Sequence, residues 1–478
     1  MKSKVKILIN KYKYVFAFSF LFICFSLFMM LLFTKESDYF WHIKVGEYMF
    51  NRKNILTKDV FSWFMNGKYW MSHEWAFDYF IYLLKYLFGR AHLFIYPFIC
   101  TMGLLMILFF TNKKNYLKNI VFSLVWIVCF LIFCVYIQAR PHMLSFIFLA
   151  LTIYFTYDLF NNENSKKIYF LPIVTLLWAN FHGGSSNLSY LFCLIFVVIG
   201  LFKFRFSKVE ANRLSKKQIV KYLVISLVCV LAICVNPHGL KMLSYPYINI
   251  MDNVMVDFIT EWQSTSLGKI SHYPYFILLV FIIFIMLFSR KKIKLIDLAL
   301  VGLSVILGLK SIRFWGYTYI IMSYVIFYYI PERKPDRGTA RIIFILSFIF
   351  LAFFITNLDR LNKEYRKTVI SENMIKTIKN ENVKRLYNMY DYGGELIYND
   401  IDVFIDGRAD LYSKYNLRDY SDISVLGGDY VKLIDMYDFD YFLVMKKYPI
   451  NTYLKYSDNY DVVLSEKSMV LYKKKDSI

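Results

Sequence analysis

Two acidic residues stand two apart in Glu36-Ser-Asp38, just beyond the first long apolar run, and Tyr39-Phe40-Trp41-His42 follows directly. An extended backbone would put Glu36 and Asp38 on one face. Carboxylates fixed at a membrane surface can serve as a general base or bind a divalent cation. Farther on, Ser72-His73-Glu74-Trp75 supplies more ligand-type groups, and with His42 these could complete a cation site. No regular ligand spacing accompanies them, so the sequence names no metal. A solvated loop carrying amphipathic helices would hold the same residues without chemistry.

A second set of polar residues marks the ends of apolar runs. These are Gln138-Ala-Arg140-Pro-His142, Asn180-Phe-His182-Gly-Gly184, Asn236-Pro-His238-Gly239, Glu261-Trp-Gln263 and Ser311-Ile-Arg313. Polar groups at that depth are costly unless they pair or line a wet cavity. Arg140 and Arg313 call for an anion, with a lipid phosphate or pyrophosphate the natural partner. The plainer reading is that both snorkel to headgroups. His142, His182, His238 and Glu261 are the accompanying candidate binding groups, although Asn236-Pro-His238-Gly239 also reads as a helix cap. A third motif, Phe404-Ile-Asp406-Gly407-Arg408-Ala-Asp410, looks like a strand ending in an acidic-glycine-basic turn. Strand ends of that kind commonly carry binding groups, and an ion pair holding the turn would look the same. There is no P-loop, GxGxxG, GxSxG or HExxH, which argues against an ATP-driven transporter, a Rossmann enzyme, a common hydrolase and a zinc protease.

The elements that must position these residues follow from composition. The 478 residues are 58% hydrophobic, 20% aromatic and 19% charged, and the mean hydropathy is +0.42. Soluble domains are about 45–50% apolar and about 25% charged. The chain is therefore expected to be a polytopic α-helical membrane protein with about eleven spans. The basic run Lys2–Lys13 ahead of Tyr14 to Phe33 reads as a retained first transmembrane helix. All seven cysteines fall in apolar runs and read as small buried hydrophobes.

Charge sets the expected topology. With the N-terminus inside, the inside segments hold 25 Lys and Arg and the short outside loops hold 5, which favours N-inside, C-outside. The net +22 then reflects membrane orientation rather than a nucleic-acid partner, since the segment after Leu358 is nearly neutral. All seven histidines fall at or near the outside face. The stretch Trp75 to Phe88 is read as a surface or re-entrant helix, because a further span there would invert every later loop. Two domains are expected: a transmembrane domain over 1–357, with a long first extracytoplasmic loop at 34–90, and an extracytoplasmic α/β domain over 358–478. Within the latter, Ser371 is expected to cap a helix to Asn380. Strand-like runs are expected at Arg385–Met389, Glu395–Tyr398, Val403–Asp406, Tyr441–Met445 and Ser468–Tyr472.

This layout resembles the C-type (GT-C) superfamily of membrane glycosyltransferases. The shared features are a cytoplasmic N-terminus, an acidic motif after the first span, a long first outside loop, about eleven spans and an outside soluble domain. More narrowly, Asp38-Tyr-Phe-Trp41-His42, Ser72-His73-Glu74-Trp75, Arg140-Pro-His142, Asn236-Pro-His238-Gly239 and Asp406-Gly407-Arg408-Ala-Asp410 resemble a bacterial subgroup of that layout. The resemblance implies a multi-pass cell-membrane enzyme with its active face extracytoplasmic. It would take sugar from a polyprenyl-phosphate-linked donor and place it on a cell-envelope glycan, lipid or protein. Asp38 would be the catalytic carboxylate and Glu36 its acidic neighbour. His42, His73, Glu74, Arg140, His142, His182, His238, Glu261, Arg313, Asp406 and Arg408 would bind substrate, and membrane lipid would be a partner. The competing reading is a transporter or assembly factor for a lipid-linked glycan, with the same polar residues lining a passage. A structural partner in an envelope complex is the third.

Overall fold

A computed structural model describes residues 2–32, 37–133, 139–333 and 338–475. The chain folds as two compact units. One comprises Met1–Thr34, Leu93–Pro246 and Glu261–Lys363; the other comprises Lys35–His92, Tyr247–Thr260 and Glu364–Ile478.

The first unit is helical. Among the described residues, six helical stretches are long and apolar enough to cross a membrane: Tyr12–Leu32, Trp75–Thr111, His142–Asn161, Gly183–Gly200, Ile270–Phe288 and Thr339–Thr356. The Trp75–His92 part of the second stretch belongs to the second unit. Eleven spans were expected, and the difference lies in length and charge. Ile120–Phe133, Leu171–Phe181, Leu295–Lys310 and Trp315–Tyr329 have 11 to 16 residues. A 15-residue helix rises about 22 Å, short of a hydrocarbon core of about 30 Å. Lys216–Ile233 opens on lysines, under a Ser215/Gln218 capping box.

The short Trp315–Tyr329 helix forms the centre of this unit, buried on every turn. The hydroxyls of its buried Tyr317, Thr318, Tyr319, Ser323, Tyr324 and Tyr329 all have partners, as burial requires. Tyr319 stacks on Trp126 at 5.1 Å, Trp126 Nε1 donates to Ser323 Oγ, and Tyr324 donates to the Ala150 carbonyl. Gly316 admits the Phe146 ring where a Cβ would lie 2.4 Å from it. At the periphery, Lys2–Leu32 and Thr339–Thr356 pack through phenylalanines, with Phe25 on Phe350 and Phe28 on Phe353. A three-stranded sheet joins loops of this unit: β1 (Phe204–Phe206) pairs antiparallel with β2 (Val209–Ala211), which pairs parallel with β3 (Ile293–Lys294).

The second unit has a four-stranded sheet in the order β4-β5-β7-β6. β4 (Leu386–Asn388) is parallel to β5 (Tyr441–Met445). β6 (Tyr460–Ser465) and β7 (Met469–Lys474) complete it in antiparallel pairing. Ser371 caps its helix, accepting from Met374 N, as expected. Two expected strands are not strands. Gly393–Tyr398 is a helix, and Val403 makes only an isolated bridge to Ser62. The Gly393-Gly394 pair explains the first case: Cβ atoms there would lie 2.3 Å from Ile405 O and 2.1 Å from Ser37 O, so the helix begins where two other segments press on it.

That contact reveals how the unit is built. The helix Ser37–Arg52 buries Trp41, Val45 and Met49, one turn apart each, in the same core as Leu396, Ile397 and Phe442. Trp63 stacks on Phe404 and donates to Leu386 O. The first loop and the C-terminal segment thus share one hydrophobic core. Helix Ser37–Arg52 also crosses Trp75–Phe88 closely at Gly46, where a Cβ would meet Asp78 O at 2.1 Å.

Candidate functional site

In the second unit, the first turn of Ser37–Arg52 carries Asp38. Its carboxylate lies against Gly407: a Cβ on that glycine would fall 1.7 Å from Asp38 Oδ1 and 2.9 Å from Trp41 Nε1. The Trp41 indole N–H is buried without a hydrogen-bond partner among the described residues. Glu36 lies outside the described residues. Gly407→Ala is therefore expected to leave the fold intact while turning the Asp38 carboxylate aside, because a terminal oxygen yields more easily than backbone. A circular-dichroism melt close to wild type would be the outcome. Gly394→Ala, which meets a carbonyl, should lower the melt instead.

The loop histidines form an alternating series with carboxylates. His42 Nδ1 lies 2.5 Å from Asp78 Oδ1, and His42 Nε2 lies 3.9 Å from Glu74 Oε2. His73 Nε2 lies 3.2 Å from Glu74 Oε1, and His73 Nδ1 lies 3.9 Å from Asp410 Oδ2. The two short contacts can orient the imidazole tautomers, while the two at 3.9 Å are too long for hydrogen bonds. Among the described residues no group of three or more His, Cys, Asp or Glu side chains is arranged to hold a metal ion.

Asp406 and Arg408 are fully buried. Arg408 Nε and Nη2 reach Asp406 at 2.8 and 2.6 Å, and Nη1 reaches Asp59 Oδ1 at 2.6 Å. Tyr412 donates to Asp406, and the guanidinium lies 4.8 Å from the Trp70 ring centroid. Burial opposes the charge on Arg408, but Asp406, Tyr412 and Asp59 hold its pKa well above the ordinary value. In this geometry the turn is tied to the first loop, and its charges are directed at one another.

In the first unit a separate group assembles from the helix ends. Arg140 Nη1 donates to Glu261 Oε1 at 2.6 Å. Arg313 Nη2 lies 3.5 Å from His182 Nε2, and its guanidinium lies 5.1 Å from the Trp262 ring centroid. His182 Nδ1 is 2.5 Å from Ser145 Oγ, which accepts from Trp178 Nε1. Ser311 links the segments by donating to Glu261 O and accepting from Arg313 N. Both arginines precede helix starts, at His142 and Trp315, where backbone N–H groups add positive potential. Two guanidiniums act on the Glu261 carboxylate, and guanidiniums are the side chains best suited to a phosphate anion. His238 lies in the Asn236 turn, where Asn236 Oδ1 accepts from His238 N and Asn236 Nδ2 donates to Ile233 O. That is the capping arrangement.

Burial would raise the Glu261 carboxyl, but Arg140, Arg313 and His142 together hold it below its ordinary value of 4.5. A depressed folded pKa adds stability that is fully present above the unfolded value and is lost as pH falls through the folded one. The gap in thermal stability between wild type and Glu261→Gln is thus expected to hold from pH 7 to about 5 and to shrink below about 4. A gap constant down to pH 3 would refute the pairing.

Sequence reasoning missed Asp59 and Asp78 as members of these groups, whereas Asp410 stood in the motif it singled out. Asp78 had a usable signal, an acid inside an apolar helix. Asp59 had none, since its partner is 349 residues away.

No family model matches the chain, and no curated protein sequence matches it. Among solved structures it is similar to the oligosaccharyltransferase of Archaeoglobus fulgidus. Against the crystal structure tethered with an acceptor peptide containing the NVT sequon, the TM-score is 0.49 at 11% identity, covering 91% of this chain and 70% of that one. Against the apo form, the TM-score is 0.42 at 10% identity, covering 86% and 66%.

Proposed function

We propose that this chain is a membrane glycosyltransferase. It would move a sugar from a polyprenyl-phosphate donor to an extracytoplasmic acceptor, which is a cell-envelope glycan, lipid or protein. The observation that carries the reading is the Arg140–Glu261–Arg313 group, which sets two guanidiniums and a carboxylate at the starts of two helices. The motif resemblance to the GT-C layout and its bacterial subgroup supports it.

The roles divide by chemistry. The Asp38 carboxylate takes the proton from the acceptor hydroxyl. The acceptor oxygen then forms its bond to the anomeric carbon as the bond from that carbon to the phosphate oxygen breaks. The leaving polyprenyl phosphate keeps the electron pair. A single displacement inverts the anomeric configuration. His182 orients Arg313, and Glu261 fixes Arg140 while leaving Arg313 for the anion.

The test is native mass spectrometry of the chain in mild detergent, with lipid extraction of the same sample. A polyprenyl phosphate, or its sugar-charged form, is expected to co-purify and to drop at least about tenfold in Arg313→Ala. Carrier-free protein that also fails to bind added polyprenyl phosphate would overturn the donor and favour the transporter or assembly reading.

A further inference from the structure

Three basic segments far apart in sequence meet at one end of the first unit. The β2–β3 pairing, Val209 opposite Ile293, joins the segment Lys203–Lys221 to Arg290–Lys294. Lys208 donates to Leu287 O and Lys292 to Ser207 O. The third segment arrives with Lys118, which donates to Ile330 O at 2.7 Å, while Lys291 donates to Tyr328 O at 2.7 Å. The Lys291 and Lys294 ammonium groups lie 4.1 and 4.2 Å from the Tyr328 ring centroid.

Among the described residues, the acids nearby are fewer than the lysines, and one of them, Asp297, acts on Lys294 through space. Glu210 faces Arg205 at 3.7 Å. Asp297 accepts from the hydroxyls of Tyr157 and Tyr329. Glu332 acts on Lys291 only through space, and burial together with the neighbouring Lys118 pushes the Lys291 amine down to about 8. Crowded ammonium groups whose hydrogen bonds go to carbonyls favour an anion between them. Beside them is a recess of about 250 Å³, whose polar lining is Asn161, Glu210, Asn212, Arg213, Gln218 and Lys294. The same basic segments carry or adjoin open apolar side chains: Phe206 is 76% exposed and Phe288 72%, and Phe204 and Leu287 are exposed as well.

We propose that this end of the first unit is a binding site for an anionic phospholipid, with Lys118, Lys291, Lys294 and Arg213 around the headgroup phosphate and Phe206 and Phe288 against the upper acyl chains. Charge selects an anion, and the open apolar side chains select one attached to lipid over a free ion. This site is independent of the Arg140–Arg313 group and of the reaction proposed above.

The experiment is native mass spectrometry of the full chain in mild detergent. The probes are dioleoyl phosphatidylglycerol, dioleoyl phosphatidylcholine and inorganic phosphate. Wild type is expected to bind phosphatidylglycerol at least about tenfold more tightly than phosphatidylcholine. The triple variant Lys118→Gln, Lys291→Gln, Lys294→Gln should bring that preference below about twofold, with phosphatidylcholine binding unchanged. If the triple variant does not fold, Arg213→Gln with Lys294→Gln takes its place. Lys216→Gln with Lys217→Gln, basic positions of the same loop, should keep the preference. Equal binding of the two lipids by wild type would overturn the site, as would a preference surviving in the triple variant or lost in the Lys216/Lys217 control. Abolition of phosphatidylglycerol binding by millimolar inorganic phosphate would identify a free-anion site and overturn the lipid assignment.

Discussion

Arg408→Ala is expected to destabilise the second unit by about 3–5 kcal/mol, the cost of leaving a buried ionic partner uncompensated. Arg408 is 1% exposed, and its guanidinium is held between Asp59 and Asp406 at 2.6 Å each. Its removal strands two carboxylates beside Trp70 and Phe61, where water cannot solvate them. Whole domains are stable by only about 5–15 kcal/mol, so this loss is a large share. Thermal melts and limited proteolysis within 364–478 would report it. Arg408→Lys keeps the charge but not the planar fork that reaches both acids, so an intermediate loss is expected. Asp59→Asn and Asp406→Asn added to Arg408→Met should recover much of the stability, because no lone charge then remains. A melting temperature for Arg408→Ala within about 2 °C of wild type would show that the cluster contributes little.

Asp38→Asn is expected to lower sugar transfer by about 10²- to 10⁴-fold, the usual contribution of a positioned general base. Asparagine keeps the size of the side chain but cannot take the acceptor proton. The fold should survive, because helix Ser37–Arg52 is anchored by Trp41, Val45 and Met49 rather than by the carboxylate. Transfer of labelled sugar from polyprenyl-linked donors, in membranes carrying the wild-type or variant chain, would measure it beside a melt of the purified protein. Full activity in Asp38→Asn would remove the base assignment and leave Asp38 as a residue that packs on Gly407.

Much of the architecture was legible because it depends on local composition. Apolar runs interrupted by basic loops mark helices that suit a membrane, and the Ser371 cap and the strand Tyr441–Met445 lie where sequence puts them. Short apolar helices were harder to weigh. Trp315–Tyr329 reads as one more span, yet its burial on every turn makes it the centre of its unit. The candidate residues were likewise visible by type, since arginine, histidine and glutamate at helix ends need partners. Which partner each has was not visible. Arg140 and Glu261 are 121 residues apart, and no periodicity links such positions.

By itself, the sequence determined the helical class, the placement of charge at the ends of apolar runs, and the residue types available for chemistry. These follow from burial and charge, which each segment carries alone. Only the tertiary structure decided that the first loop and the C-terminal segment form one core, that Arg408 closes an ionic cluster with Asp59, and that His42 and His73 alternate with carboxylates. Those outcomes depend on which distant segments approach one another. Small residues permit that approach: Gly46, Gly394 and Gly407 each sit where a single Cβ would collide with the opposing segment.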